Sequence, residues 1–102
     1  MQASILKHRE EIEQLCRHFH VRRLEIFGSA LRSDFHPETS DLDFLVEFSP
    51  ETSAHYADDY FGLKESLEAL FERPVDLVSI AAMQNPFFRE AVERNKALLY
   101  AA

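Results

Sequence analysis

VRRLEIFGSALRSDFHPETSDLDFLVEF, residues 21–48, carries most of what this chain says about its fold. Residues 21–27 alternate, with Leu24 and Ile26 facing one way and Arg23 and Glu25 the other, which predicts a strand. The strand ends at Gly28-Ser29, where a short helix is expected to begin. Asp34 to Ser40 is a polar loop containing Pro37. Residues 41–48, DLDFLVEF, predict a second strand. Its Leu42, Phe44, Val46 and Phe48 share one face, and Asp41 and Asp43 fall on the other. Ser49-Pro50 closes it.

Outward from this stretch the periodicity changes to helical. Ile5, Ile12, Leu15, Cys16 and Phe19 lie three, four and seven apart and predict one amphipathic helix over 3–19. Tyr60, Leu63, Leu67, Leu70 and Phe71 form the stripe of another over 55–72. Pro74 opens a third strand, PVDLVSI, with Val75 and Leu77 opposite Asp76. Asn85-Pro86 reads as an N-cap followed by proline at the first helical position, starting a helix that runs to about residue 94. The tail ALLYAA fits either a short edge strand or coil. The expected fold is α/β: a single domain, 1–102, with a small mixed β-sheet and helices packed on one face.

Composition sets the outer bounds. At 102 residues there is room for one domain, and 46% hydrophobic with 28% charged residues is ordinary for a globular chain. No apolar run approaches the roughly 18 residues of a membrane span. MQASILKHREEIEQ is charged too early to be a secretory signal. A lone cysteine, Cys16, excludes an internal disulfide and suits a reducing cytoplasm; in the first helical stripe it reads as a small core residue. Eleven Lys+Arg against eighteen Asp+Glu give a net charge of −7. Such a surface repels phosphate backbones, so direct nucleic-acid binding is not expected, nor is membrane binding. Nucleotides remain accessible if divalent cations stand between carboxylates and phosphates.

Asp41 and Asp43, two apart on a strand, project from the same face, close enough to share a cation. Asp76 also points away from its strand's apolar face. If the two strands pair, three carboxylates gather on one surface. Oxygen-only ligands favour Mg²⁺ or Mn²⁺. Gly28-Ser29 lies between a strand and a helix start, where glycine permits close approach and free N–H groups receive phosphate. The Ser29 hydroxyl is placed to bond a phosphate or cap the helix, and Arg32, three residues on, falls on the same helical side.

Taken together, FGSALRSDFHPETSDLDFLVEF and the later PVDLV resemble the DNA polymerase β-like nucleotidyltransferases, specifically the small MNT-type, or minimal, nucleotidyltransferases. The resemblance covers nearly the whole chain and implies that family's fold. It implies that Gly28 and Ser29 hold nucleotide phosphates, with Arg32 matching a frequent arginine. Asp41, Asp43 and Asp76 would be the catalytic carboxylates and the ligands of two Mg²⁺ ions. Two departures lie in the loop: eleven residues separate Ser29 from Asp41, one more than the commonest spacing, and Ser33 replaces a glycine. The implied activity is transfer of a nucleoside monophosphate from a triphosphate, ATP in the first instance, to a hydroxyl. The implied partner is a HEPN-domain toxin, with this chain as the antitoxin of a hetero-oligomeric pair. Two rival readings are a binding module that neutralises its partner by occlusion and a transferase acting on a small molecule.

Other polar residues have plainer expectations. His8, His18, His20 and His55 are scattered and suit surface or helix-end roles, as does His36, although it is set apart by lying in the loop between Gly-Ser and Asp-x-Asp. Glu25 is expected to be an exposed strand acid, with a position facing the carboxylate surface as the alternative, and Asp58 and Asp59 first-turn helix acids favoured by the dipole. Asp34 and Glu38 read as solvated loop acids. The aromatic residues are core first, with Phe35, Tyr56, Phe87 and Phe88 the candidates for a partner surface.

Overall fold

A computed structural model of the chain describes residues 3–28, 41–50, 54–79 and 96–102. In order these form α1 (Ala3–Leu6), α2 (Arg9–His18), β1 (Val21–Phe27), β2 (Leu42–Phe48), α3 (Tyr56–Phe71), β3 (Val75–Ser79) and β4 (Lys96–Ala101). The strands make one sheet in the order β3-β2-β1-β4. β1 runs antiparallel to β2 and β4, while β2 and β3 are parallel, so the sheet is mixed. Parallel neighbours cannot be joined by a hairpin, and α3 supplies the crossover between them.

The alternation in the strands and the stripes on the helices meet on one side of this sheet. Leu24 and Ile26 of β1, Leu42, Phe44 and Val46 of β2, and Val75 and Leu77 of β3 are all buried there. Ile5 of α1, Ile12 and Cys16 of α2, and Leu63 and Leu67 of α3 close over them. The expected α/β class is the observed one, and among the described residues the helices lie on a single face of the sheet. Phe19 seats its ring against Gly62 of α3, where any Cβ would collide with it.

Four details depart from the expectations. The helix over 3–19 is two helices, interrupted at Lys7-His8. There the His8 N–H donates to the Ile5 carbonyl three residues back (3.1 Å), a tighter turn than the α-helical ladder allows. At this break the His8 ring meets Phe71 edge-on at 5.4 Å. The tail is a strand, β4, and it starts at Lys96, before ALLYAA. Both neighbours of β1 break strict alternation. The β1–β2 register shifts between Val21 and Arg23, so Val21 and Leu24, three apart, both reach the core. The β1–β4 register shifts between Leu24 and Glu25, and buried Leu99 occupies the extra position on β4.

Asp59 is the fourth. With Asp58 it lies on the first turn of α3, as expected, but it is buried there, and its carboxylate sits 3.0 Å from Nδ1 of His20. His20 has left-handed backbone (φ +61) in the corner between α2 and β1, so this pair ties that corner to α3. The expected short helix after Gly28, the loop 34–40 and the helix 85–94 lie outside the described residues.

Candidate active site

The face of the sheet opposite the helices is organised in rows by the strand register. Phe27 of β1 pairs with Asp43 of β2 on one side and with Lys96 of β4 on the other. Asp43 in turn pairs with Asp76 of β3. One row across four strands therefore reads Lys96, Phe27, Asp43, Asp76. Partners across neighbouring strands lie about 5 Å apart and share a face. Asp43 and Asp76 are thus brought together as expected, by a parallel pairing between segments more than thirty residues apart in the chain.

Asp41 lies just ahead of β2, exposed, two residues before half-buried Asp43. The next residue, Leu42, donates its N–H to the Pro74 carbonyl (3.2 Å), which clamps the start of β2 to the start of β3. Among the described residues, no three His, Cys, Asp or Glu side chains close into a ready-made metal-binding group. The donor chemistry nonetheless fits a hard cation: Asp43 and Asp76 stand side by side on adjacent strands, Asp41 lies two residues ahead of Asp43, and carboxylate oxygens are the donors such a cation takes.

Gly28 is the most constrained position of the site. Its φ of +77 lies in the left-handed region, and a Cβ built there would stand 2.5 Å from Oδ2 of Asp43. Only glycine turns the chain here and leaves room for that carboxylate. Ser29 and Arg32, the other expected nucleotide-binding residues, lie outside the described residues, as does His36.

Glu25 corrects an expectation. It is on this open face, yet its side chain is only 3% exposed. Its Oε1 stands 3.1 Å from Nε of Arg23, and its Oε2 stands 3.0 Å from Nζ of Lys96. A buried carboxylate survives by such pairing. Phe27, Leu45 and Val78 form a small apolar patch on the same face. The sequence gives no local signal for the Glu25–Lys96 contact, because the partners are 71 residues apart.

Beyond Asp76, at the β3 edge, Tyr56, Tyr60 and Phe61 of α3 line an apolar hollow of about 440 Å³ with Leu77, Val78 and Ser79. Tyr56 and Phe61 are exposed. The Tyr60 hydroxyl donates to the Leu77 carbonyl at 2.6 Å. Burial first, then the phenol of Tyr56 and the charge of Asp76, push its pKa above the ordinary tyrosine value. Tyr56 is thus exposed, as a partner surface requires, whereas Phe35, Phe87 and Phe88 lie outside the described residues.

Residues 7–99 match the family model of the nucleotidyltransferase domain. This chain belongs to the nucleotidyltransferase domain family. A relative from Methanocaldococcus jannaschii, named "Putative protein adenylyltransferase MJ0128", is 36% identical over 77 residues, covering 76% of this chain and 74% of the relative. A solved structure described as a "putative minimal nucleotidyltransferase" superimposes with a TM-score of 0.73 at 35% identity, over 90% of this chain and 89% of that one. At 19% identity the fold alone is shared with the Shewanella oneidensis complex of a tri-AMPylated HEPN toxin and an MNT antitoxin, with a TM-score of 0.65 over 96% and 73% of the two chains. The polymerase β-like architecture expected from the Gly-Ser and Asp-x-Asp segments is the one this minimal nucleotidyltransferase has.

Proposed function

We propose that this nucleotidyltransferase is a protein adenylyltransferase, moving AMP from ATP onto a hydroxyl of a HEPN-type toxin for which it serves as cytoplasmic antitoxin. The observation that carries the reading is the pairing of Asp43 with Asp76 beside Gly28, whose missing side chain opens the turn above Asp43. The adenylyltransferase name of the archaeal relative and the AMPylated toxin in the Shewanella complex support the choice of acceptor. The exposed aromatic hollow next to Asp76 supports a protein over a small molecule, since such patches mark interaction surfaces.

Asp41, Asp43 and Asp76 would hold magnesium, two ions by resemblance, with manganese as a substitute; metal dependence is typical of this family. When bound, the cations supply charge that acidifies the acceptor hydroxyl and steadies departing pyrophosphate. The chain's own residues do the rest. Gly28 lets the phosphate chain approach the backbone, where N–H groups and the Ser29 hydroxyl receive it, and Arg32 adds charge-assisted contacts. Asp76, at the sheet edge, faces the side from which an acceptor arrives. The acceptor oxygen bonds the α-phosphorus as the α–β bridging bond breaks. Pyrophosphate leaves with the electron pair, and the hydroxyl proton passes to the Asp76 carboxylate.

Co-expression with a HEPN-type partner, followed by intact-mass measurement of that partner, tests this. Adenylyl additions that depend on ATP are expected. Neutralisation without any added mass would replace the reading with occlusion, and modification of a small molecule alone would replace the acceptor.

A further inference from the structure

β3 carries Asp76 and is an outermost strand of the sheet among the described residues, with β2 as its neighbour on one side. Along a strand, successive residues turn their backbone N–H and C=O groups to opposite edges. The Pro74 carbonyl faces β2, because the Leu42 N–H donates to it. The backbone of Asp76 therefore also faces β2, while Val75 and Leu77 turn theirs outward, to the edge a terminal strand leaves open. α3 closes that edge on either side of Asp76. The Val75 N–H donates to Oε2 of Glu68 at 3.1 Å, and the Leu77 carbonyl accepts from the Tyr60 hydroxyl at 2.6 Å. Tyr60 and Glu68 lie eight residues apart, about two turns along one side of α3. Both bonds go to backbone, and the residue between them is the one whose side chain the site uses.

Resting on the metal site assigned above, we infer that Tyr60 and Glu68 are positioning residues for Asp76, pinning β3 on both sides of it and holding its carboxylate in register with Asp43. Asp76 is exposed, so its place is set by the strand beneath it more than by packing around it. A terminal strand held along one side opens locally more readily than an interior one. A cation shared between β2 and β3 needs both carboxylates presented at once, and ordering the outer one beforehand lowers the entropy lost on binding. Protection of the edge against other chains would be served by a charge or a bulge anywhere along it. Two tethers that flank one acid do something narrower. They act through the backbone, from the helix face of the sheet, on a group that works on the other face.

The test titrates Mn²⁺ alone into the intact chain and its variants, reading free manganese by electron paramagnetic resonance, with melting temperatures alongside. Asp76→Asn sets the scale, with an expected loss of affinity of about tenfold or more. Tyr60→Phe removes one oxygen and keeps the ring; it should weaken manganese by about threefold or more, and Glu68→Ala by a similar factor. Glu68→Gln keeps an acceptor for the Val75 N–H and should restore most of what Glu68→Ala loses. In the Asp76→Asn background, Tyr60→Phe should change manganese affinity by less than about twofold, because the tether no longer positions a ligand. If Tyr60→Phe fails to fold, Glu68→Ala against Glu68→Gln carries the same comparison. A folded variant that binds manganese as the wild type does removes its residue from the role, and if both do so the inference is overturned, whatever their melting temperatures. A full loss on adding Tyr60→Phe to Asp76→Asn also overturns it, since the effect would not run through Asp76. Wild-type affinity in Asp76→Asn alone would instead overturn the metal site on which the inference rests.

Discussion

Phe44 and Asp43 are consecutive on β2 and live in different physics. Phe44 has no exposed surface and packs with Phe71 of α3, its ring 6.1 Å away, inside a core to which α1, α2 and α3 all contribute. Asp43 faces the other way, half-buried, between Phe27 and Asp76. On the helix face the side chains hold the fold by excluding water, and neighbours are interchangeable as long as volume is kept. On the open face polar groups are placed for another purpose: Asp43 stands beside Asp76, an arrangement that adds nothing to the apolar core and suits a bound cation. The contrast implies that the two faces can be damaged separately.

The widest separation is expected from the acids. Replacing Asp41 and Asp43 together with Asn removes two charges from the proposed cation ligands and should cut adenylyl transfer by more than about a thousand-fold, ~4 kcal/mol in the barrier. The melting temperature should hold or rise, because repulsion among Asp41, Asp43 and Asp76 is relieved. A variant that loses activity and melts early would break the comparison by making the open face structural. Transfer at the wild-type rate would remove these residues from the chemistry.

Phe44→Ala tests the opposite face. A large buried ring leaves a cavity, and the loss should be about 3–5 kcal/mol by urea unfolding. Activity per folded molecule should change far less than in the Asp variant, provided the β2–β3 register holds. If the surviving folded fraction is inactive, the two faces are coupled through β2 and the separation is too simple.

How much of each face could be read from the sequence follows from the same contrast. Leu24, Ile26, Leu42, Phe44, Val75 and Leu77 were legible because local alternation decides which side of a strand meets the core. Asp41, Asp43 and Asp76 were legible as exceptions to apolar patterning beside it. Glu25 was not, since its burial depends on Lys96 at the far end of the chain, a partner that only the β1–β4 register selects. The same holds for Asp59 and His20, which are 39 residues apart. The shifts near Arg22 and Leu99 also escape a period-two reading, because an extra residue in one strand is a property of the pair and not of either sequence.

Gly28 sits where the two faces are joined, at the end of β1, and its replacement should have a middling effect. Gly28→Ala forces a Cβ into left-handed backbone and against Oδ2 of Asp43, costing about 1–2 kcal/mol of stability. Because Asp43 must move to make room, activity should fall by more than stability does. Comparison with Asp43→Asn/Gly28→Ala sharpens this. If the collision with the carboxylate carries the functional loss, Gly28→Ala should cost little further activity once Asp43 no longer acts. Full additivity of the two would mean that the turn contributes through phosphate contacts alone.

The smallest effect belongs to the helix face and appears only in alkali. Cys16 is fully buried among Ile12, Leu63 and their neighbours, and burial foremost, with Glu13 adding, pushes its thiol from 9.0 up to about 12. Above pH 9 the unfolded chain therefore sheds a proton that the folded chain keeps. The stability owed to the neutral thiol is intact below pH 9 and is lost as pH rises toward 12, amounting to about 1 kcal/mol by pH 10. Tyr60, also raised, works in the same direction, so wild type must be compared with Cys16→Ala, in which the phenol contribution persists and cancels. Urea midpoints at pH 7, 9 and 10 should converge, the wild type losing its advantage as the pH increases. Parallel midpoints would mean that the thiolate is tolerated inside the folded chain, and that water reaches a core from which the whole contrast between the two faces assumes it is excluded.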